Sequence, residues 1–335
     1  MSNKGEAVEA KLRGDQGFAE EFYNERFRQL YMDSWPIIKC ARVASLLQDL
    51  PLPINGRVLD FGCGTGVFTA VLKNVLHDCE VNGTDISNKA LEIARSKQPE
   101  CFFYSMADCK HLVGQFDFIF SHHVLEHVSD LPKTAEMLFS LLKPSGVMFH
   151  ILPCADPGSL EHSICLLRKD GFLGAKETRF FFDEEGHLRR LSTQGLADLW
   201  ARTNLVLERA YYANHLYGGL KFLTENGLPF ILDLARPNAC VNNSAAKRLG
   251  QLRIVLVLLW AIRQPCTVVN NKMKFGIHSF RDCVLFGIGL LAWPASRLGN
   301  LLLQRLVNRE WQKKSQKRGG SEMYIFFGRG GGLHK

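Results

Sequence analysis

Arg57-Val-Leu-Asp-Phe-Gly-Cys-Gly-Thr-Gly-Val-Phe-Thr69 decides the fold: a short apolar strand runs straight into a loop with glycines at positions 62, 64 and 66. Glycine at alternate positions lets the backbone turn sharply at a strand's carboxyl end and lets a ligand lie against bare N–H groups at the next helix start. The spacing is Asp60-x-Gly62-x-Gly64-x-Gly66 with no lysine following. It matches neither the G-x-G-x-x-G of a dinucleotide loop nor the G-x-x-x-x-G-K-[ST] of a phosphate loop, which disfavours NAD and ATP.

Outward from the loop, Glu80-Val-Asn-Gly-Thr-Asp85 reads as a second strand ending in a carboxylate. Asp85 follows Gly66 by close to the ~20-residue offset at which an acid meets ribose hydroxyls. Ser87 is the better cap for the following helix, which leaves Asp85 free for a ligand. Cys101-Phe-Phe-Tyr104 is a further strand, followed by Met106-Ala-Asp108. Phe116-Asp-Phe-Ile-Phe120 is a continuous apolar strand of the kind buried on both faces of a parallel sheet, and it opens into Ser121-His-His-Val-Leu-Glu-His127. Leu141-Leu-Lys-Pro-Ser-Gly146 and Val147-Met-Phe-His-Ile-Leu152 supply a helix end, a turn and a fifth strand. Strands alternating with helical patterns call for a parallel doubly wound sheet with helices on both faces.

These four motifs, in this order, resemble the class I S-adenosylmethionine (SAM) dependent methyltransferases, and residues 121–127 resemble the fourth-strand region of small-molecule and lipid-quinone methyltransferases. The resemblance covers residues 20–213 and the terminal strand. It implies a Rossmann-like α/β fold: a doubly wound, mostly parallel seven-stranded sheet with an antiparallel last strand. It implies S-adenosyl-L-methionine as cofactor, with Asp60 at its amino-acid end and Gly62, Cys63, Gly64 and Gly66 in the loop beneath. Asp85 and Ile86 would meet the ribose, Ala107 and Asp108 the adenine, and Ser121 would stand at the end of the fourth strand.

The chain has 335 residues and ten cysteines without a C-x-x-C pair. That pattern suits reduced thiols in a cytoplasmic protein rather than a disulfide framework or zinc site. The polar start Met1-Ser-Asn-Lys-Gly-Glu6 has no apolar core behind it, so no secretory signal is expected. Residues 15–50 read as helical, with Phe18, Phe22, Phe27, Leu30 and Tyr31 near helical spacing and Pro51 and Pro53 closing the segment. In the family such an arm covers the cofactor. Ser192 caps a helix ending near Trp200, and Leu205 to Tyr212 reads as the sixth strand.

The best seventh strand, Met323-Tyr-Ile-Phe-Phe327, comes about a hundred residues later. The organisation is therefore a methyltransferase core with helical cover over 1–213, an insert over 214–320, and the last strand with a glycine-rich tail over 321–335. Residues 247–318 carry 14 Lys/Arg against Asp282 and Glu310, a net of +12; the whole chain is +8, so the remainder sums to −4. Interleaved are the apolar runs 254–262, 284–293 and 301–307, none of which reaches the ~18 consecutive apolar residues of a spanning helix. With Trp260, Trp293 and Trp311 near their edges, they suit lying in an anionic membrane surface, on the inner face of a membrane, rather than crossing it. A helical subdomain or homodimer interface would show the same runs. An RNA platform fits less well, because it would use stacking aromatics rather than Leu, Val and Ile.

Methyl transfer needs a base only where the acceptor must lose a proton, and histidine serves near neutral pH. The candidates are His122, His123, His150 and His187, with His187 favoured: Gly186-His-Leu-Arg189 resembles the family's acceptor loop, where Arg189 would steer an anionic substrate group and His150 would stand on the substrate side. Glu126 and His127 orient their loop; two adjacent ligands alone do not make a metal site, so no metal is expected. Pro153-Cys154 falls after the fifth strand and reads as a strand-end turn, not a cytosine-methylase nucleophile. The expected activity is methyl transfer (EC 2.1.1.-), to oxygen, of an amphipathic or lipid-linked acceptor at a membrane surface. An RNA or protein methyltransferase and a non-catalytic SAM-binding protein are the alternatives.

Overall fold

The computed structural model describes residues 3–29, 31–174, 178–201 and 203–330. Leu30 of the N-terminal arm and residues 331–335 of the glycine-rich tail lie outside them. The chain divides into two compact units: residues 1–155, 174–211 and 322–335 form the first, and residues 156–173 and 212–321 the second.

The first unit is built on a seven-stranded sheet. Its strands are β1 (Arg57–Phe61), β2 (Glu80–Asp85), β3 (Phe102–Ser105), β4 (Phe116–His122), β5 (Leu142–Pro153), β6 (Val206–Ala213) and β7 (Glu322–Gly328), in the spatial order β3-β2-β1-β4-β5-β7-β6. β1 to β5 pair in parallel, and β7 runs antiparallel to β5, with Phe149 opposite Phe326. This is the fold the motifs implied, with the last strand arriving from a distant part of the chain. β4 and β7 are buried along their whole lengths, which is why they read as unbroken apolar runs.

Helices α1 (Asn3–Gly14), α2 (Gln16–Arg28) and α3 (Ile37–Leu47) precede the sheet; α4 (Val67–Val75), α5 (Asn88–Lys97), α6 (Met106–Cys109), α7 (Leu131–Leu141) and α9 (Thr193–Trp200) alternate with its strands. The segment expected as one helical stretch from 15 to 50 is thus two helices, closed before Pro51. Asp15, Ser87, Asp130 and Ser192 each accept the backbone N–H three residues on, so the sequence writes these helix starts in local cap chemistry.

The second unit holds α8 (Leu160–Leu166), α10 (Tyr217–Glu225), α11 (Leu228–Leu234), α12 (Asn243–Phe275) and α13 (Phe280–Lys314). The three apolar runs are not separate short helices. They belong to an antiparallel pair of 33 and 35 residues that continues through Pro265 and Pro294. By length and composition both are long and apolar enough to cross a membrane, which the count of consecutive apolar residues did not register. The two acids of the basic stretch are both engaged: Asp282 pairs with Lys272 at 2.5 Å, and buried Glu310 accepts from the backbone N–H groups of Leu216, Tyr217 and Gly218. Glu310 thereby caps the start of α10, where a carboxylate meets orphan donors and the positive end of the helix dipole.

The sheet core is aromatic. Phe149 stacks on Phe326 with centroids 3.9 Å apart and meets Phe120 edge-on, all three at under 2 % exposure. Phe149→Ala therefore opens a cavity across the β5–β7 pairing. It is expected to lower unfolding free energy by about 3–5 kcal/mol, measured by denaturant titration.

Candidate functional site

The carboxyl ends of β1, β2 and β4 surround a cavity of about 710 Å³, within the range of small-molecule sites. One wall is Asp60 to Thr65 with Val67 and Phe68; a second is Asp85, Ile86, Met106 and Ala107; a third is His122 to Val124 and His127. The N-terminal arm closes it with Tyr23, Phe27, Tyr31 and Trp35.

Gly62, Gly64 and Gly66 all have positive φ, at +75°, +52° and +82°, in the region glycine enters without steric cost. The loop's N–H groups are not bare, contrary to the expectation from its sequence. Gly62 and Cys63 donate to the Thr84 carbonyl, Gly64 to Asp85 Oδ2 and Gly66 to the Cys63 carbonyl. Gly62 serves steric closeness instead: a Cβ there would come within 2.3 Å of Val124 Cγ2.

Ser87 is the cap of α5, as its sequence implied, but Asp85 is not thereby left free. Its oxygens accept from Gly64 N at 2.9 Å and Ser87 N at 2.9 Å. Each carboxylate oxygen has more than one lone pair, so acceptor capacity remains toward the cavity. Asp60 is buried and accepts one bond, from Thr69 Oγ1 at 2.7 Å; desolvation raises its pKa to about 7. Burial likewise pushes the Cys63 thiol well up, so it is a small apolar wall residue rather than a nucleophile.

The two neighbouring histidines after β4 are in opposite states. His122 packs between Phe68 (centroids 4.1 Å apart) and Trp35 (4.4 Å), with no hydrogen-bond partner at Nε2, and burial holds its pKa well below the ordinary value. His123 has a left-handed φ of +53° and lies between two carboxylates, Nδ1 2.9 Å from Glu126 and Nε2 3.0 Å from Glu322. Burial and Lys39 disfavour its charge, but these two bonds outweigh them and raise its pKa. A ring with a carboxylate at each nitrogen is a poor proton acceptor, whereas the neutral ring of His122 faces the cavity.

The other candidates lie elsewhere. His187, Arg189, His150, Ser121 and Asp108 are not among the described residues lining the cavity. Ser121 Oγ is 2.7 Å from His150 Nδ1 inside the sheet, and His150 stacks on Trp200, with burial lowering its pKa to about 3. The Asp108 carboxylate meets Ser105 Oγ at 2.6 Å at the start of α6 and is exposed. Arg189 is buried and donates to the carbonyls of Leu125, Val128 and Ser129; its cation satisfies the backbone of the loop after β4 instead of steering a substrate. His187 is buried beside Asp183, Glu184 and His127.

Sequence reasoning missed Trp35, Lys39, Glu184 and Glu322. Lys39 and Glu322 pair at 2.5 Å across 283 positions of sequence, a separation at which local motif reading has no signal. Glu184 lies three residues before the favoured His187, and that proximity was the available clue.

The sequence pattern of a methyltransferase domain family matches residues 35–210, more than half of the chain. The chain belongs to that family, within the class I SAM-dependent methyltransferase superfamily. The chain is 35 % identical over 111 residues to a trans-aconitate 2-methyltransferase of Variovorax paradoxus, covering 32 % of this chain and 42 % of the relative. It is 34 % identical over 101 residues to a ubiquinone biosynthesis O-methyltransferase of Aromatoleum aromaticum, covering 28 % and 42 %. The match thus spans under half the length of these relatives. A SAM-dependent methyltransferase structure from Mesorhizobium loti aligns over 54 % of this chain and 89 % of its own with a TM-score of 0.37 and 19 % identity.

Gly62→Ala adds a left-handed penalty of about 1–2 kcal/mol to an overpacking cost of about 1–3 kcal/mol against Val124. A loss of about 2–5 kcal/mol in denaturant unfolding is expected, and Gly62→Ala,Val124→Ala should recover the overpacking part.

Proposed function

We propose that this chain is a SAM-dependent methyltransferase that methylates an oxygen of an amphipathic or lipid-linked acceptor at a membrane surface. The reading rests first on one observation: a buried, lightly hydrogen-bonded carboxylate, Asp60, faces a cavity rimmed by the glycine loop and Asp85. SAM fits this donor set, since its ammonium supplies the cation Asp60 lacks and its ribose hydroxyls the donors Asp85 can accept. When bound, it supplies an electrophilic methyl group on sulfur. Tyr23, Phe27, Tyr31 and Trp35 exclude water from that volume, and His122 is the neutral imidazole able to take the proton of a hydroxyl acceptor. The name of the Aromatoleum relative favours oxygen as the methylated atom and a lipid-linked acceptor.

The membrane part rests on α12 and α13. Exposed apolar residues recur at helical spacing along each: Ile254, Leu258 and Ile262 on one, Phe280, Val284, Ile288, Leu291, Leu298, Leu302 and Leu306 on the other. Leu291 and Phe280 are 87 % and 85 % exposed, which an aqueous surface disfavours. Arg263 fastens α12 to α10 through Glu225 and the Lys221 carbonyl and to α13 through Asn300, so the helix pair carries a polar, protein-covered level in its middle. That favours helices lying in the membrane interface, with the surrounding Lys and Arg against anionic lipid, over a crossing.

Two measurements test the reading. Asp60 must ionise to hold an ammonium, and its pKa in the free protein is about 7. SAM affinity should therefore rise with pH through neutrality, with the dissociation constant about tenfold larger at pH 6 than at pH 8 by calorimetry. Asp60→Asn should flatten that profile and weaken binding at pH 8; absence of SAM binding by the wild-type chain would overturn the reading. Separately, the full chain should co-sediment with phosphatidylglycerol vesicles, and Leu291→Asp should reduce the bound fraction at least about tenfold. A dimer that ignores vesicles would assign the apolar stripes to a subunit interface instead.

A further inference from the structure

The long helix pair of the second unit carries its charge unevenly. Arg263 Nε meets Asn300 Oδ1 at 2.8 Å, the Cys266 N–H donates to Ser296 Oγ at 3.0 Å, and Lys272 pairs with Asp282. These contacts run antiparallel, so the first turns of α12 lie beside the last turns of α13. That end of the pair holds Lys247, Arg305, Arg309 and Lys313, all of them exposed.

These four cations have no carboxylate partner among the described residues. The unit's acids are committed elsewhere: Asp156 to Arg318, Asp170 to Arg168, Glu225 to Arg263, Asp233 to Arg236 and Asp282 to Lys272. The Glu310 carboxylate is buried against the first N–H groups of α10. Arg305, Arg309 and Lys313 follow one another at four-residue steps, where like charges destabilise a helix unless an anion lies among them.

Spacing joins this basic end to the exposed apolar stripes. Along α13 the steps from Leu291 through Leu298 and Leu302 to Arg305, Arg309 and Lys313 are each three, four or seven residues, which keeps them on one face. Along α12, Lys247 precedes exposed Ile254 by seven residues and exposed Leu258 by eleven. A face that is apolar over most of its length and cationic at one end matches an amphiphile with an anionic head. Two of the cations are arginines one helical turn apart, and their planar forks suit phosphate oxygens. A phosphomonoester carries about −1.5 to −2 charges at pH 7 and three acceptor oxygens, enough to engage both forks together. A phosphodiester headgroup offers a single charge and fewer free oxygens.

We propose that Lys247, Arg305, Arg309 and Lys313 bind the head of a phosphomonoester lipid, with its hydrocarbon chains along the apolar stripes. The site rests on the membrane-surface reading and gives that surface a preferred lipid. Nucleic acid fits less well, because the face beside the cations offers Leu and Ile rather than rings on which bases stack.

The test sediments the full chain with phosphatidylcholine vesicles that contain phosphatidic acid or, at matched total charge, phosphatidylglycerol. Binding to the phosphatidic acid vesicles should be at least about tenfold tighter. Arg305→Lys,Arg309→Lys keeps the charge but removes the forks, and it should abolish that preference, with circular dichroism confirming that the variant is folded. Equal binding to both vesicles, or a folded double-lysine variant that keeps the preference, would overturn the phosphate site and leave the membrane reading standing. Calorimetric titration with soluble dihexanoyl phosphatidic acid gives the converse: binding of that probe without sedimentation on any vesicle supports the site and sinks the membrane reading alone. Single-stranded RNA that binds more tightly than either vesicle would assign the patch to nucleic acid and overturn the lipid site.

Discussion

The contact between Gly62 and Val124 is the constraint on which the candidate site depends. β1 and β4 are parallel neighbours with Phe61 opposite Ser121, so their loops emerge side by side. The Val124 methyls occupy the volume a Cβ on Gly62 would fill, and only hydrogen lets the two loops close. That closure puts Asp60 and the His122–His127 segment on walls of one cavity. Gly62 is thus needed less for an exposed N–H group, which it donates to the Thr84 carbonyl, than for the approach of two chain segments.

Charge follows from that geometry. A carboxylate at the end of a buried strand loses its hydration, and Asp60 recovers one hydrogen bond, leaving its pKa near 7. Glu322 is as deeply buried, yet Lys39 and His123 beside it overcome desolvation and hold its pKa below the usual carboxylate range. The difference is one of charge partners within the fold. Glu322 is balanced within the fold, whereas Asp60 has only Thr69 and the neighbouring Asp85 acting on it and no cation among the described residues to offset its burial.

Much of this was legible in the sequence because it is local. The glycine spacing, the acid ending β2, the apolar β4 and the caps at Ser87 and Ser192 are each written within a few residues, and the structure follows them. What escaped is non-local. The partners of His123 are Glu126, three residues on, and Glu322, which arrives on the strand after the insert. Arg189 and His187 looked like acceptor-side groups because both are polar residues in a loop. Their burial is decided by the carbonyls after β4 and by Asp183 and Glu184, which spacing does not encode. The insert misled through the polar residues between its apolar runs: the runs belong to two helices that continue across those interruptions and through Pro265 and Pro294.

The adjacent histidines show how backbone conformation assigns chemistry to identical side chains. At the end of β4, His122 still has strand geometry, and its ring enters the aromatic wall formed by Phe68 and Trp35. His123 enters the left-handed region, a conformation that costs a non-glycine residue of order 1–3 kcal/mol unless the surroundings hold it there. Glu126 and Glu322, one at each ring nitrogen, provide that hold and favour the charged form of the ring. The charge on His123 in turn disfavours a second proton on His122, adding to burial and to Lys39. One strained residue therefore separates a ring held between carboxylates from a ring that burial keeps neutral, one position apart in the chain.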